Sequence, residues 1–272
     1  MTLREQLLSN PFFEYRGNIF YQKNFRQNNS FERAYLKLRT REGRILSDDA
    51  VKMLPDVRES HPNKREWQMR KSSLREVIRS VKKSGAKKIL EIGCGNGWFS
   101  HNVMTSAGAE ICAIDINETE LVQGARVFRE DEELSFAYAD IFSNVFESNN
   151  FDAAILSSSV QYFPNLETLF SKLFELLRVG GCIYIVDSPF YTSKSDAEEA
   201  RKRSKKHFNS LNASEMVDQY FHHTFDDLKC FNYSILYNPK SLTSFFKRKV
   251  CRVSLSIFPL IRISNREKFV NA

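Results

Sequence analysis

Hydrophobic positions along the chain change their spacing near residue 86. Between residues 74 and 81, apolar side chains recur at intervals of three and four, the period of one helix face. Ser73 and Glu76 have the spacing of a capping box and Gly85 follows, so we predict a helix that begins at Ser73 and ends at Gly85. The rest of residues 1–85 is strongly charged and helix-like, which indicates an N-terminal helical cap.

Beyond residue 86, short apolar runs alternate with helical patterns, as in parallel strands joined by crossover helices. Five such runs predict strands at residues 88–92, 110–116, 134–140, 151–157 and 181–187. An apolar stripe at residues 166–177 predicts a core-facing helix that is ended by Gly180 and Gly181. Two later runs, at residues 230–237 and 253–263, predict a terminal antiparallel pair with a short helix between its strands.

This pattern predicts an α/β fold with a doubly wound, mixed sheet of seven strands, of which the last is antiparallel. Helices are expected on both faces of the sheet. We expect two regions, a helical cap or lid at residues 1–85 and the sheet domain at residues 86–272. Elements that contact a substrate are expected at about residues 188–230.

Composition narrows the class of protein. The 272 residues are 42% hydrophobic and 27% charged, which excludes a disordered chain and provides enough apolar material for a core. Five cysteines, without any C-x-x-C pair, suit a reducing compartment, and we expect a cytoplasmic location. No apolar run approaches the roughly 20 residues of a membrane-spanning helix, so we expect a soluble protein. The adjacent His222 and His223 lack neighbours at zinc-ligand spacing, and we predict no metal site.

The charge balance is basic but mixed. Forty Lys and Arg against 33 Asp and Glu give a formal charge of +7, which alone does not establish nucleic-acid binding. Basic runs at residues 201–206 and 247–252 leave open a contact with RNA or with an anionic membrane surface. A solvated helix face accounts for these runs more simply.

Three glycines stand at alternate positions directly after the first predicted strand, where residues 91–97 read Glu-Ile-Gly-Cys-Gly-Asn-Gly. Without a Cβ, Gly93, Gly95 and Gly97 can adopt positive φ and let a ligand lie against backbone N–H groups at a helix N-terminus. This spacing differs from the G-x-G-x-x-G of dinucleotide-binding proteins, and Glu91 at the mouth of the loop would repel a pyrophosphate. A carboxylate there suits a ligand with an amino or sulfonium group, which disfavours an NAD-dependent oxidoreductase.

Two more carboxylates end the next two predicted strands. Asp115 is placed to accept hydrogen bonds from two ribose hydroxyls, and Asp140 to accept from an adenine amine. Asp115 and Asn117 both also fit the cap of the following helix. Because ligands of open α/β sheets bind at the carboxyl edge, we expect one crevice lined by these side chains.

This ordered set resembles the class I S-adenosylmethionine-dependent methyltransferases of the small-molecule, type 11/12-like kind. The resemblance covers roughly residues 70–190 and includes Glu91-x-Gly93-x-Gly95-x-Gly97, Asp115, Ala139-Asp140 and the run from Leu176 to Gly181. It implies a Rossmann-like fold and a methyltransferase activity. It also implies S-adenosylmethionine as the methyl donor, with S-adenosylhomocysteine as product, and no metal.

The resemblance further implies cofactor contacts, residue by residue. Glu91 would organise the loop near the methionine end, Asp115 would hold the ribose, and Asp140 would frame the adenine. The full set of implied cofactor residues is Glu91, Gly93, Cys94, Gly95, Gly97, Asp115, Ile116, Asp140, Ile141 and Ser157. Trp98 is expected in the core.

Candidates for acid–base chemistry and for substrate or lid contacts are less specific. His207, His222, His223 and Asp187 are the candidate general bases, although each also fits a solvated surface group. The implied upstream lid and the loop after the fourth strand supply the substrate or lid candidates, which are Tyr35, Arg39, Trp67, Arg70, Gln161, Tyr162 and Tyr191.

The acceptor is expected to be a small, partly apolar molecule that is methylated at oxygen, nitrogen or carbon. Aromatic residues are frequent in residues 190–221, downstream of the core. The loop after the fourth strand reads Ser157-Ser158-Ser159-Val160, not the Asn/Asp-Pro-Pro-aromatic motif of methyltransferases that act on base amino groups. Two alternatives stay open, an RNA or protein methyltransferase and a non-catalytic module that binds an adenosyl ligand. The sequence sets no expectation for the oligomeric state.

Overall fold

The computed structural model describes residues 1–25, 30–249 and 254–264. Within these segments one sheet of nine strands runs in the order β1-β2-β5-β4-β3-β6-β7-β9-β8. The strands are β1 (Phe13–Arg16), β2 (Ile19–Gln22), β3 (Lys88–Ile92), β4 (Glu110–Asp115), β5 (Leu134–Tyr138), β6 (Phe151–Ser157), β7 (Leu177–Val186), β8 (Asn232–Tyr237) and β9 (Leu260–Ser264). Strands β2 to β7 pair in parallel, whereas β1, β8 and β9 pair antiparallel to their neighbours.

Helices cover both faces of this sheet. They are α1 (Leu3–Ser9), α2 (Ser30–Arg41), α3 (Asp48–Met53), α4 (Lys64–Ser84), α5 (Trp98–Ala107), α6 (Glu118–Val127), α7 (Leu166–Leu176), α8 (Lys194–Ser210) and α9 (Leu242–Lys249). Short 3₁₀ turns lie at Val160–Tyr162, Ser214–Gln219 and Phe225–Leu228. The α/β fold with a doubly wound, mostly parallel sheet is confirmed.

The core divides by the alternation of side chains along each strand. In β3, Leu90 faces a cluster that includes α7, whereas Ile89 faces a cluster that includes α4, α5 and α6. Because the central strands are buried on both faces, their sequences are nearly continuous apolar runs. The switch in strand order lies between β3 and β6, so a crevice opens there at the carboxyl edge.

The predicted sheet of seven strands is extended by an N-terminal hairpin. Strands β1 and β2 are joined by Gly17 and Asn18, both at positive φ, and Ile19 pairs with Phe136 of β5. The expectation of helices throughout residues 1–85 is therefore wrong for residues 13–22. A two-residue Gly-Asn connection is a hairpin signal, because it tolerates the positive φ that such turns need.

Two helix boundaries also differ from the prediction. Helix α4 begins at Lys64 rather than at Ser73, because Ser73 lies inside the helix and donates its hydroxyl to Asp187. Its end at Gly85, with φ of 72°, is as predicted. Helix α7 ends at Leu176 and β7 begins at the next residue, so the Gly180-Gly181 pair lies within the strand instead of ending the helix.

The last predicted strand and the basic runs are described in part. Strand β9 covers Leu260–Ser264, so the strand predicted over residues 253–263 is wrong for residues 254–259, which are not strand, and residue 253 lies outside the described residues. The basic run at 201–206 belongs to α8, where Arg201 is exposed and pairs with Glu198. Residues 250–252 of the second run also lie outside the described part.

No helix in the described segments is both long and apolar enough to cross a membrane.

Candidate functional site

A cavity of about 570 Å³ opens at the carboxyl edges of the central strands. The loop after β3 and the ends of β4, β5 and β6 form one side of it, and the N-terminal helices α2 and α4 form the other. Thirteen of the residues singled out from sequence line it: Tyr35, Arg39, Trp67, Arg70, Gly93, Cys94, Gly95, Asp115, Ile116, Asp140, Ile141, Ser157 and Tyr162. The structure thus brings together most of the predicted cofactor set and most of the predicted lid.

The glycine loop is held against β4 by its backbone. The N–H groups of Gly93 and Cys94 donate to the Ile114 carbonyl at 2.9 and 3.1 Å. Gly93 and Gly95 have φ of 74° and 54° and line the cavity. A Cβ on Gly93 would lie 2.5 Å from the Cβ of Ser159, so the missing side chain is what lets the loop approach the segment after β6 closely.

Gly97 has a different role from the other two glycines. It is the N-cap of α5, with φ of 73°, and does not line the cavity. A Cβ there would lie 2.4 Å from the buried ring of Phe136. The structure therefore places Gly97 in a packing contact, which corrects its assignment to the cofactor set.

Asp115 ties the loop to the next helix. Its Oδ2 accepts from the Gly95 N–H at 2.7 Å, and its Oδ1 accepts from the Asn117 N–H at 2.8 Å. Burial raises the pKa of Asp115, and these two N–H groups act in the opposite direction. Asn117, not Asp115, caps α6 through its side chain. The Asp115 carboxylate is left at the cavity wall with lone pairs available to a ligand hydroxyl.

Glu120 is a lining residue that the sequence pattern missed. One of its carboxylate oxygens, Oε2, accepts from Asn117 Nδ2 at 3.2 Å, and a Cβ on Gly95 would lie 3.0 Å from this oxygen. Burial and the nearby Asp115 raise the pKa of Glu120 to about 7. Its position five residues after Asp115, in the first turn of α6, is the signal that could have found it.

Asp140 is positioned by the N-terminal hairpin. Its backbone N–H donates to Gln22 Oε1 at 3.0 Å, and its Oδ1 accepts from the Phe142 N–H at 3.0 Å. The missed hairpin therefore supports the cavity at the end of β5. Ile141 is buried beside it, while Phe142 is 43% exposed at the rim.

Glu91 lies behind the glycine loop rather than at its mouth. Its side chain is 2% exposed, does not line the cavity, and accepts a short hydrogen bond from the Ser100 hydroxyl of α5. Burial raises its pKa to about 8, against the effect of Ser100. Glu91 is two residues from Ile89 along β3, so its side chain faces the same helical layer. The expected position of Glu91 at the mouth of the loop is therefore wrong.

Opposite the loop, alternating charges run across the cavity roof. Arg39 Nη1 lies 3.1 Å from Glu42 Oε2, which also lies 3.3 Å from Arg44 Nε. Arg44 Nη2 then lies 2.7 Å from Glu66 Oε2, and Arg70 Nε lies 3.0 Å from Glu66 Oε1. All of these side chains except Glu42 line the cavity. We call this set of five residues the roof chain.

Aromatic rings form the wall next to the roof chain. Tyr162 lies edge-on to Tyr35 and Phe31, with ring centroids 5.9 and 5.7 Å apart. Trp98 lines the cavity although it is only 8% exposed, and it packs edge-on against Trp67 at 5.3 Å. Trp98 therefore belongs to the core, as expected, and also forms part of the cavity wall.

The four predicted general bases do not line the cavity. Asp187 is buried and accepts hydrogen bonds from the hydroxyls of Ser73 and Ser256, and its Oδ2 has no partner. The side chain of His223 is buried, with 6% of its surface exposed. Nε2 of His222 lies 2.9 Å from the hydroxyl of Ser204. His207 reaches Glu42 at 3.2 Å from outside. Two substrate candidates, Gln161 and Tyr191, also lie off the cavity wall, where Gln161 accepts from Ser188 and Tyr191 bonds to the backbone of residue 223.

Of the five histidines, all described, His61 is the one that lines the cavity. Its Nδ1 accepts from the Asn63 N–H at 3.1 Å, which assigns the proton of a neutral ring to Nε2. No sequence pattern indicated His61, because it stands in a loop before α4. Across the described ranges, no group of three or more His, Cys, Asp or Glu side chains is arranged to hold a metal ion.

Comparison with known proteins agrees with the fold. Residues 90–185 match the sequence family described as methyltransferase domain. A solved structure of geranyl diphosphate C-methyltransferase from Streptomyces coelicolor aligns with a TM-score of 0.52 and 14% identity over 80% of this chain and 87% of that one. Residues 90–185 therefore resemble a methyltransferase domain, and the chain has the Rossmann-like fold of the aligned structure.

Two curated relatives resemble part of the chain. A sterol 24-C-methyltransferase from Debaryomyces hansenii is 28% identical over 119 residues, which are 43% of this chain and 31% of the relative. A phosphoethanolamine N-methyltransferase from Caenorhabditis elegans is 28% identical over 116 residues, which are 40% of this chain and 26% of the relative. The chain thus matches a third or less of the length of these relatives.

Proposed function

We propose that the protein transfers a methyl group from S-adenosylmethionine to a small, partly apolar acceptor. The observation that carries this proposal is one cavity that joins the glycine loop and the Asp115 and Asp140 carboxylates to a wall of aromatic rings. Its volume of about 570 Å³ is in the range of small-molecule sites. The named relatives act, by their names, on sterols and on phosphoethanolamine, which supports a small acceptor.

The residues of the cavity fit S-adenosylmethionine as methyl donor. The Cβ-less backbone at Gly93 and Gly95 provides the close approach that the methionine end and the ribose need. Asp115 is assigned to the ribose hydroxyls, together with Ile116, and Asp140 with Ile141 to the adenine. Cys94 and Ser157 complete this wall. Glu91 supports the loop from behind through Ser100.

When bound, the cofactor supplies an activated methyl group on a sulfonium sulfur. Displacement at carbon needs the acceptor atom in line with the methyl group, so the main task of the chain is alignment and exclusion of water. Trp67 and Trp98 narrow the cavity by their edge-on contact, and Tyr35 and Tyr162 supply flat surfaces for an apolar acceptor. His61 can donate its Nε2 proton to an acceptor oxygen.

The acceptor end is assigned to the junction of α2 with the segment after β7. Ala34 and Leu38 of α2 form a buried cluster with Phe208 and Met216 of that segment. Gln219 from the same segment lines the cavity. These contacts support residues 188–230 as substrate-binding elements and residues 1–85 as a lid.

Calorimetric titration of the full chain with S-adenosylhomocysteine tests the cofactor site. We expect saturable binding, and we expect Asp115→Asn to weaken it by about 1.5–3 kcal/mol, the range for a hydrogen bond to a charged group. The matched control is Asp152→Asn. Asp152 also accepts from two backbone N–H groups, those of Lys87 and Lys88 at 2.8 Å, but at the opposite edge of the sheet.

Two results would contradict the proposal. Absence of binding to folded protein at millimolar ligand would exclude the donor, and equal affinity in both variants would exclude the placement of the ribose. Methyl transfer is then followed with labelled donor and acceptor fractions. Transfer only to RNA or protein, or binding without transfer to any fraction, would favour the two alternatives in its place.

A further inference from the structure

The roof chain contains one more positive than negative group. Three guanidinium groups, those of Arg39, Arg44 and Arg70, share the carboxylates of Glu42 and Glu66. Both ends of the chain are arginines. The side chains of Arg39 and Arg70 are each 18% exposed, so an unmatched charge at either end is partly removed from water. Such a charge is costly unless an anion meets it.

The Arg39 end lies among aromatic rings. Its guanidinium stacks over the ring of Tyr35 at 4.8 Å from the centroid, and the Glu42 ion pair uses Nη1. An arginine offers five N–H donors in a flat fork, which matches the two oxygens of a carboxylate or phosphate. Glu120 also lines the cavity and acts electrostatically on Arg39, but the two described side chains form no ion pair.

The two ends of the roof chain face different parts of the cavity. Arg70 donates to the hydroxyl of Ser158 at 3.1 Å, next to the end of β6 and the glycine loop. Arg39 instead belongs to α2, whose Phe31 and Tyr35 pack against Tyr162. An anion at Arg39 would therefore lie beside the aromatic wall. The loop assigned to the cofactor is also near, since Glu120, which acts on Arg39, lies next to Gly95.

We propose that Arg39 binds an anionic group of the acceptor, a carboxylate or a phosphate, while the rings of Phe31, Tyr35 and Tyr162 hold its apolar body. This inference rests on the proposed function, since it assigns the acceptor end of the same cavity. The acceptor class is then a small molecule with one apolar part and one anionic group. Arg39 is a specificity-determining residue that selects this group.

The test measures three small probes against the full chain saturated with S-adenosylhomocysteine. Benzoate and phenyl phosphate carry the two candidate anions on an apolar ring, and benzamide is the uncharged counterpart of benzoate. We expect at least one anionic probe to bind more tightly than benzamide. Arg39→Gln should weaken its binding about tenfold or more and leave benzamide unchanged, because a hydrogen bond to a charged group is lost. Whichever anion binds more tightly identifies the group.

Two further variants separate a binding role from a structural one. Glu42→Gln removes the counter-ion of Arg39 without touching the cavity wall, so it should strengthen anion binding, whereas general damage to the roof would weaken it. Arg178→Gln breaks a similar ion pair, with Asp152 at 2.9 Å, at the opposite edge of the sheet and should change nothing. Circular dichroism and thermal unfolding establish that each variant is folded.

Several results would overturn the inference. The first is that neither anionic probe binds at millimolar concentration. The second is that benzoate, phenyl phosphate and benzamide bind with equal affinity. The third is that the Arg39→Gln variant binds the anions as tightly as the wild type does. Arg39→Gln could also weaken S-adenosylhomocysteine binding as much as it weakens probe binding. That result would assign the Arg39 guanidinium to the cofactor and would overturn the inference too. The proposed function fails separately, through absence of S-adenosylhomocysteine binding to the wild type.

Discussion

The two sides of the cavity are built by different forces. On the sheet side, backbone groups of the glycine loop bond to β4, and Asp115 accepts from two backbone N–H groups. On the roof side, long side chains from α2, α4 and the segment between them form the roof chain. The sheet side is therefore fixed by strand register, whereas the roof side depends on partly exposed charges that salt and pH weaken.

Two glutamates show the contrast. Glu91 supports the sheet side without a counter-ion, and burial raises its pKa to about 8. Burial alone would also raise the pKa of Glu66 in the roof, but Arg70 and Arg44 lower it below its ordinary value. One acid is thus kept protonated by its surroundings and the other ionised. The two sides of one cavity should respond to pH in opposite directions.

The largest effect is expected where the sheet side is most tightly packed. Gly97→Ala places a Cβ 2.4 Å from the buried ring of Phe136 and forces an L-residue to φ of 73°. We expect a loss of about 3 kcal/mol in the free energy of unfolding, from overpacking and backbone strain together. Urea unfolding measures it.

Gly108→Ala is the matched control for this prediction. Gly108 has φ of 61°, and a Cβ added there would meet no atom within 4 Å, so this variant isolates the backbone strain, about 1 kcal/mol. Equal losses in the two variants would show that Phe136 can move aside. The sheet side would then be no more rigid than the roof.

The same contrast explains what the sequence could predict. The glycine loop, Asp115 and Asp140 all follow a predicted parallel strand, and parallel strands bring their carboxyl ends to one edge. The apolar runs predict where these strands lie along the chain, whereas their order in the sheet comes from the structure. By contrast, Arg44 and Glu66 are 22 residues apart on segments whose packing no local pattern sets, so their ion pair could not be predicted.

Errors on the sheet side have local causes. Closeness to Gly93 in sequence predicts Glu91 at the mouth of the loop, but the pleat turns its side chain toward α5. The hairpin that supports Asp140 was missed although Gly17-Asn18 is a turn signal. The histidine of the cavity, His61, is in a loop, and only the packing of α4 brings it there.

A second, smaller effect is expected from Glu91. Because its folded pKa of about 8 exceeds the ordinary value of 4.5, the folded protein holds a proton that the unfolded chain releases. Stability should therefore fall as pH rises from about 4.5 to about 8. Glu91→Gln should remove part of this pH dependence. Over this pH range, we expect the free energy of unfolding of the variant to fall by about 2 kcal/mol less than that of the wild type.

Urea unfolding at several pH values measures this difference. Ser100→Ala provides a partner variant, because loss of the hydroxyl that favours the ionised form should raise the folded pKa further and extend the fall to higher pH. Parallel pH curves for the wild type and Glu91→Gln would mean that Glu91 is not the buried acid of the sheet side.

The smallest effect is expected in the roof, from Glu66→Gln. The folded pKa of Glu66 is below its ordinary value of 4.5, so its contribution is present above about pH 4.5 and is lost as pH falls through the folded pKa. Because Glu66, Arg44 and Arg70 are 27%, 32% and 18% exposed, solvent screens their pairs, and we expect a loss of about 1 kcal/mol at pH 7. The loss should shrink in high salt and disappear as pH falls through the folded pKa of Glu66, opposite in sign to Glu91. Glu198→Gln, which breaks the more exposed pair with Arg201 on α8, should lose less. A Glu66→Gln loss that persists unchanged at low pH would mean that packing, not charge, holds the roof, and the contrast between the two sides would disappear.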